Sequence, residues 1–318
     1  MATPVPALSF ARRAARPYAA ATMSLPALTL VAPTSPPIAL VCDSPHSGTD
    51  YPDDFRYAVD LPDLRRCEDT HVEALWSGVP QVGGQLLHAH FPRSYIDANR
   101  ACTDIEAGLL SAPWPGELTP SERCLRLGNG LIYSKTTTLA PIYARQLDVQ
   151  EVRQRIERYW MPYRQALRTA IDRTRQVHGR VWHLNLHSMP SNAYERLGLS
   201  ADRPLADVVL GNLRGVTCSE AFTQCVADAF RALGYSVAIN DPYVGQDLLR
   251  EHGRPAEGCE SLQIEMNRRL YLDEVTRERS DRFERTRDDI DRVLRDVARF
   301  VVEHTRLSSP TPSPKEDS

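Results

Sequence analysis

The nine residues Val181-Trp182-His183-Leu184-Asn185-Leu186-His187-Ser188-Met189 constrain the fold of this chain more than any other stretch. At the two-residue period of a strand, Trp182, Leu184 and Leu186 share one face, and Val181, His183, Asn185 and His187 share the other. The first face calls for an apolar layer, and the second points toward something that needs polar groups. The run ends in His-Ser and enters a turn rich in Pro, Ser and Asn, as expected of a strand that delivers a functional group at its carboxyl end. In open α/β sheets that edge is where ligands bind. Taken alone, the strand fits a core histidine bonded to a backbone carbonyl at least as well. Two other stretches with the same kind of ending favour a site.

The first is P-I-A-L-V-C (37–42), a buried strand candidate that runs into Asp43-Ser44-Pro45-His46-Ser47-Gly48. The second is Ser261–Glu265, which ends in a carboxylate with Asn267 and Arg268 close behind. Between them the pattern predicts strands over 84–90, 206–210 and 235–239. Helices are predicted from Glu68, over about 149–177, over 219–233 with Gly234 as C-cap, and over about 280–304. Acidic residues favour a helix's first turn, so Glu68 and Asp69 read as capping residues on this evidence alone. Residues 103–130, rich in Pro and Gly, read as a long loop of the kind that often covers an active site. The alternation of strands and helices implies one α/β domain over 24–305, three layers α/β/α deep. Residues 1–23 read as a disordered or non-native extension and 306–318 as a disordered tail.

A net charge of −3 argues against nucleic acid as the main partner, and no apolar run is long enough for a membrane span. Seven cysteines with no C-x-x-C pair point to a reducing compartment, taken as cytoplasmic, rather than to a disulfide framework. The oligomeric state is left open.

Two histidines and at least one carboxylate, distant in sequence but all at strand ends, are the donor set of a catalytic zinc that keeps one position for water. His46, His187 and Glu265 suit a site of that kind, with a carboxylate outside the metal shell moving the proton.

The motifs S-P-H-S-G (44–48), E-D-T-H-V-E-A-L-W (68–76), F-P-R-S-Y-I-D-A-N-R (91–100) and R-I-E-R-Y-W-M-P-Y (155–163) are followed by N-L-H-S-M (185–189) and A-D-V-V-L-G-N (206–212). N-D-P-Y-V-G (240–245) and L-Q-I-E-M-N-R-R-L-Y (262–271) complete the series. In that order they resemble the N-formylglutamate amidohydrolase family, zinc-dependent deformylases related in fold to zinc carboxypeptidases and the aspartoacylase group. The resemblance implies a central mixed, mostly parallel sheet and one catalytic zinc or other divalent ion. It implies hydrolysis of a small-molecule N-acyl amino acid, N-formyl-L-glutamate, to formate and L-glutamate, and a place in histidine degradation. His46 and His187 would be metal ligands with Asp69 as the acidic one; Glu68 and Asp50 are the alternatives, because Thr49 stands where carboxypeptidase-type sites have the acid. Glu265 would be the general base and acid, Arg93 the group that polarises the scissile carbonyl, and Asp97 an orienting partner of the arginines. Asn99 and Arg100 would grip the α-carboxylate, with Ser188, Asn240 and Tyr243 also contacting substrate. Other N-acyl amino acids, a small peptide, or an inactive binding role are the alternatives. Asn185 departs from the family, which usually carries Asp there.

Overall fold

The computed structural model describes residues 23–25, 27–200 and 203–307. Its strands are β1 (Met23–Leu25), β2 (Leu28–Val31), β3 (Leu40–Ser44), β4 (Gln85–Ala89), β5 (Val181–Met189), β6 (Val208–Gly211), β7 (Val237–Ile239) and β8 (Cys259–Asn267). They form one eight-stranded sheet in the order β1-β2-β4-β3-β5-β8-β6-β7. The junctions β4–β3, β3–β5, β5–β8 and β6–β7 are parallel, whereas β1–β2, β2–β4 and β6–β8 are antiparallel. The sheet is therefore mixed and mostly parallel, as expected. The β1–β2 hairpin had no counterpart in the sequence pattern; it is the first element among the described residues, and the helix Phe283–Leu307 is the last. The extension before Met23 and the tail after Leu307 lie outside the described residues. No helix among the described residues is long and apolar enough to cross a membrane.

The alternation in β5 is realised as two different layers. Trp182, Leu184 and Leu186 pack with Val72 and Leu75, with Phe222, Val226 and Phe230 of the helix Glu220–Ala232, and with Val293, Leu294 and Val297 of Phe283–Leu307. On the opposite face Val181 joins Leu167 and Ile171 of the helix Met161–His178. All nine residues of β5 are buried, so its polar face is interior and every hydrogen-bonding group on it requires a partner.

The helix expected over about 149–177 is present but interrupted: Val149–Arg155 and Met161–His178 flank a π-helical turn, Ile156–Trp160. Side chains along this helix then clamp the segment 95–100. Arg155 donates to the Tyr95 carbonyl (3.0 Å), Trp160 Nε1 to the Arg100 carbonyl (2.9 Å), and Arg164 to the carbonyls of Ala98 and Arg100 (3.3 and 3.2 Å). The 155–163 motif is thus the support for the 91–100 motif.

The helix expected from Glu68 begins instead at Val72, because His71 adopts a left-handed conformation (φ 67°) that breaks the entry. Glu68 and Asp69 are consequently not first-turn residues of a helix. Asp69 is left in irregular chain, facing the sheet edge.

Candidate active site

Three strand ends meet at the carboxyl edge of the sheet. His46 lies two residues past the end of β3, His187 lies near the end of β5, and the β5–β8 register sets Glu265 opposite His187. Asp69 is drawn in by its backbone, whose N–H donates to the His46 carbonyl at 3.0 Å. The turn after His46 lies against the backbone of His90 and Phe91, where a Cβ on Gly48 would fall 2.3–2.4 Å from main-chain atoms. Only glycine lets the S-P-H-S-G turn approach that closely.

Both imidazoles turn Nδ1 toward Asp69 Oδ2, at 3.4 Å from His46 and 3.1 Å from His187. One donor atom from each of the three residues falls within 4.8 Å of the others. The far ring nitrogens are anchored: His46 Nε2 on Asp97 Oδ1 (2.6 Å), His187 Nε2 on Asn185 Oδ1 (2.6 Å). Asp69 Oδ1 is held separately, by Arg268 at 2.8 Å and Arg93 at 3.5 Å. His46 Nδ1 is buried without a hydrogen-bond partner. An orphaned ring nitrogen beside a carboxylate oxygen, with the opposite nitrogen fixed by an acceptor, fits a divalent-cation ligand set. The protonation states agree. Burial pushes His187 down to about 4, keeping it neutral. Burial opposes ionisation of Asp69, but Arg93 and the two histidines outweigh it and hold the carboxylate well below its usual range.

Asp69 is therefore the acid brought to the histidines. Glu68 is buried but accepts from Tyr51 Oη (2.7 Å) and Thr70 Oγ1 (2.9 Å), and Asp50 is exposed. His71 stands aside, its ring edge-on to Phe283. Glu265 differs electrostatically from Asp69. Burial first, and then the Asp69 charge, push its carboxyl up to about 8, and it accepts from the Gln263 amide at 2.8 Å. A carboxyl tuned in this way can take and return a proton near neutrality.

Asn185 acquires a reason. Its Oδ1 faces His187 Nε2 while its Nδ2 donates to Asp43 Oδ1 at 2.7 Å. Asp43 also binds His183 Nε2 (2.8 Å) and Tyr163 Oη (2.8 Å). Burial opposes its charge, but these bonds keep it ionised below the ordinary carboxylate range. The amide links a buried carboxylate to His187, and its two ends suit the two neighbours. In Asn185→Asp a second carboxylate would meet Asp43 where the amide now donates. That variant should lose about 1.5–3 kcal/mol of folding stability, the worth of a hydrogen bond to a charged group, read from the urea midpoint. An unchanged midpoint would rule this account out.

The residues open onto a narrow cleft of about 70 Å³. Arg93, Asn99, Arg100, Ser188 and Tyr243 all line it. Arg93 is held by Asp97 Oδ2 through Nη2 (3.0 Å) and Nε (3.3 Å). Arg100 binds the Asn129 carbonyl (3.0 Å) and Gln246 Oε1 (3.0 Å), leaving Nη2 buried with no partner. Asn99 is engaged internally, its Nδ2 on Asn185 Oδ1 (3.2 Å) and its Oδ1 on the Leu248 N–H (2.9 Å). Ser188 Oγ accepts from Arg268 Nε at 3.2 Å.

Asn240 is a correction. It does not line the cleft; its Oδ1 accepts from the backbone of Asn212 and Arg214, and its Nδ2 donates to Asn212 Oδ1 at 2.8 Å. A left-handed backbone (φ 57°) turns the side chain into that neighbouring loop instead of the pocket. Asp97, expected to orient arginines, does hold Arg93, but its shortest bond goes to His46. Arg123 and Arg196 also line the cleft. They went unnoticed because, in sequence, each is one basic residue in an arginine-rich chain.

At the carboxyl edge of this sheet a buried glutamate stands opposite an imidazole–carboxylate donor set. The sequence profile of the N-formylglutamate amidohydrolase family matches residues 38–272, and the chain belongs to that family. The N-formylglutamate deformylase of Pseudomonas putida is 26% identical over 243 residues, 75% of this chain and 83% of that protein. The crystal structure of N-formylglutamate amidohydrolase from Ralstonia eutropha JMP134 is 50% identical, with a TM-score of 0.86 over 88% of this chain and 100% of that one. A protein of Agrobacterium tumefaciens shares the fold at 15% identity, with a TM-score of 0.61 over 88% of this chain and 96% of its own.

Proposed function

We propose that the chain hydrolyses N-formyl-L-glutamate to formate and L-glutamate, with one divalent cation, zinc, held by His46, Asp69 and His187. The observation that carries this reading is the orphaned His46 Nδ1 beside Asp69 Oδ2, with a protonatable Glu265 across the strand pair. The names of the deformylase and amidohydrolase relatives supply the substrate. When bound, such a cation lowers the pKa of water and polarises a carbonyl oxygen. Glu265 takes the proton from the attacking water and returns it to the departing amine nitrogen. Arg93, fixed by Asp97, offers its guanidinium to the oxygen that becomes negative as the formyl carbon turns tetrahedral. The unpartnered Nη2 of Arg100 receives the α-carboxylate. Asn99, expected to share that grip, acts instead by steadying Asn185 and the His187 ring. Ser188 and Tyr243 bound the pocket. The seven free cysteines suit a reducing, cytoplasmic setting.

Formate release from N-formyl-L-glutamate, measured before and after treatment with a chelator, tests the reading. Release should disappear with the chelator and return with added zinc. Turnover of other N-acyl amino acids but not this one would move the assignment within the hydrolases, and absence of any turnover would leave a binding protein.

A further inference from the structure

Five arginines line the cleft: Arg93, Arg100, Arg123, Arg196 and Arg268. They are not equivalent. Arg93 and Arg268 bond to Asp69, and Arg93 also to Asp97, so their charges are matched by protein carboxylates. Arg100 has Asp104 at 3.9 Å. Arg123 and Arg196 have no ion-pair partner among the described residues, and Arg123 Nε is buried with no hydrogen bond at all. The two arise from separate short helices, Glu122–Leu127 and Ala193–Leu197, which are tied together by a bond from Arg126 to the Leu197 carbonyl at 3.2 Å. Tyr133 and Tyr243 line the same cleft. Desolvation bears on both: burial depresses the charged form of Arg123, with Arg100 adding to it, and of Arg196, with Arg268 adding to it.

Holding two partly desolvated cations without an anion is unfavourable, and the arrangement is relieved when a ligand brings the missing charge. We infer that Arg123 and Arg196 form a second carboxylate-binding subsite, separate from Arg100, that selects N-acyl amino acids with an acidic side chain. This rests on the hydrolase reading above and adds the residues that set its specificity. A substrate with a neutral side chain fills only the Arg100 position and leaves the other two cations uncompensated. A site built for a polar group rejects an analogue lacking it far more strongly than an apolar pocket does.

The test compares N-formyl-L-glutamate with N-formyl-L-glutamine, which has nearly the same shape but lacks the second charge. Arg123→Gln and Arg196→Gln should each lower the ratio of kcat/KM for the acidic over the neutral substrate by at least about tenfold. In parallel, calorimetry compares glutarate with butyrate on the wild-type chain and on the Arg123→Gln/Arg196→Gln double variant. Glutarate should bind the wild-type chain more tightly, and the double variant should lose that advantage. A preference ratio that stays within about twofold, or a glutarate advantage that survives the double substitution, overturns the subsite. Should the wild-type chain hydrolyse neither formyl compound while the glutarate advantage still vanishes in the double variant, the subsite stands and the deformylase reading falls.

Discussion

Glu265→Gln should lower kcat for formate release by about 10²–10⁴-fold, the usual contribution of a positioned acid–base group. The substitution keeps the shape and the acceptor oxygen that meets the Gln263 amide, and removes only the ability to take up and return a proton. Glu265 is outside the three-residue donor set, so cation binding should persist. Folding stability should not fall, because a neutral amide is easier to bury than a carboxylate facing Asp69. Kinetics, metal content and a urea titration on one preparation separate these effects. Full activity in the variant would remove Glu265 from the mechanism.

Asp69→Asn should have the largest combined effect. Its Oδ2 faces both histidines and its Oδ1 holds Arg268 and Arg93. Losing the charge weakens the cation site by more than the 10–100-fold expected for an outer partner of a ligand, and activity should vanish with it. Two arginines then face a buried amide in place of a carboxylate. Breaking a buried pair of this kind costs about 3–5 kcal/mol, reduced here because the repulsion between Asp69 and Glu265 is also relieved. Metal content after dialysis and the urea midpoint report the two consequences independently. A variant that retained its metal would place the acidic ligand elsewhere.

The first of these predictions concerns a residue that was legible in the sequence. Histidines and a carboxylate at the carboxyl ends of strands fall on one sheet edge whenever those strands are parallel, and β3, β5 and β8 are parallel neighbours. The choice among Asp50, Glu68 and Asp69 was not legible, because it depends on where an irregular segment between helices points its side chains. A left-handed His71 and a backbone bond to His46 bring Asp69, of the three, beside the histidines. Asn240 failed for the converse reason: an N-D-P-Y turn can present its asparagine to a pocket or to the next loop, and the loop at Asn212 took it.

The sequence by itself determined the two faces of β5, the α/β alternation, and the placing of His46, His187 and Glu265 toward the carboxyl ends of strands. Side-chain periodicity is a local property of the chain, written in each strand. Tertiary structure alone decided that Asp97 anchors His46, that Asn185 bridges His187 to Asp43, and that Arg123 and Arg196 reach the cleft with no ion-pair partner among the described residues. These are pairings between segments tens of residues apart, and no local pattern distinguishes an arginine that will line a pocket from one that will meet water.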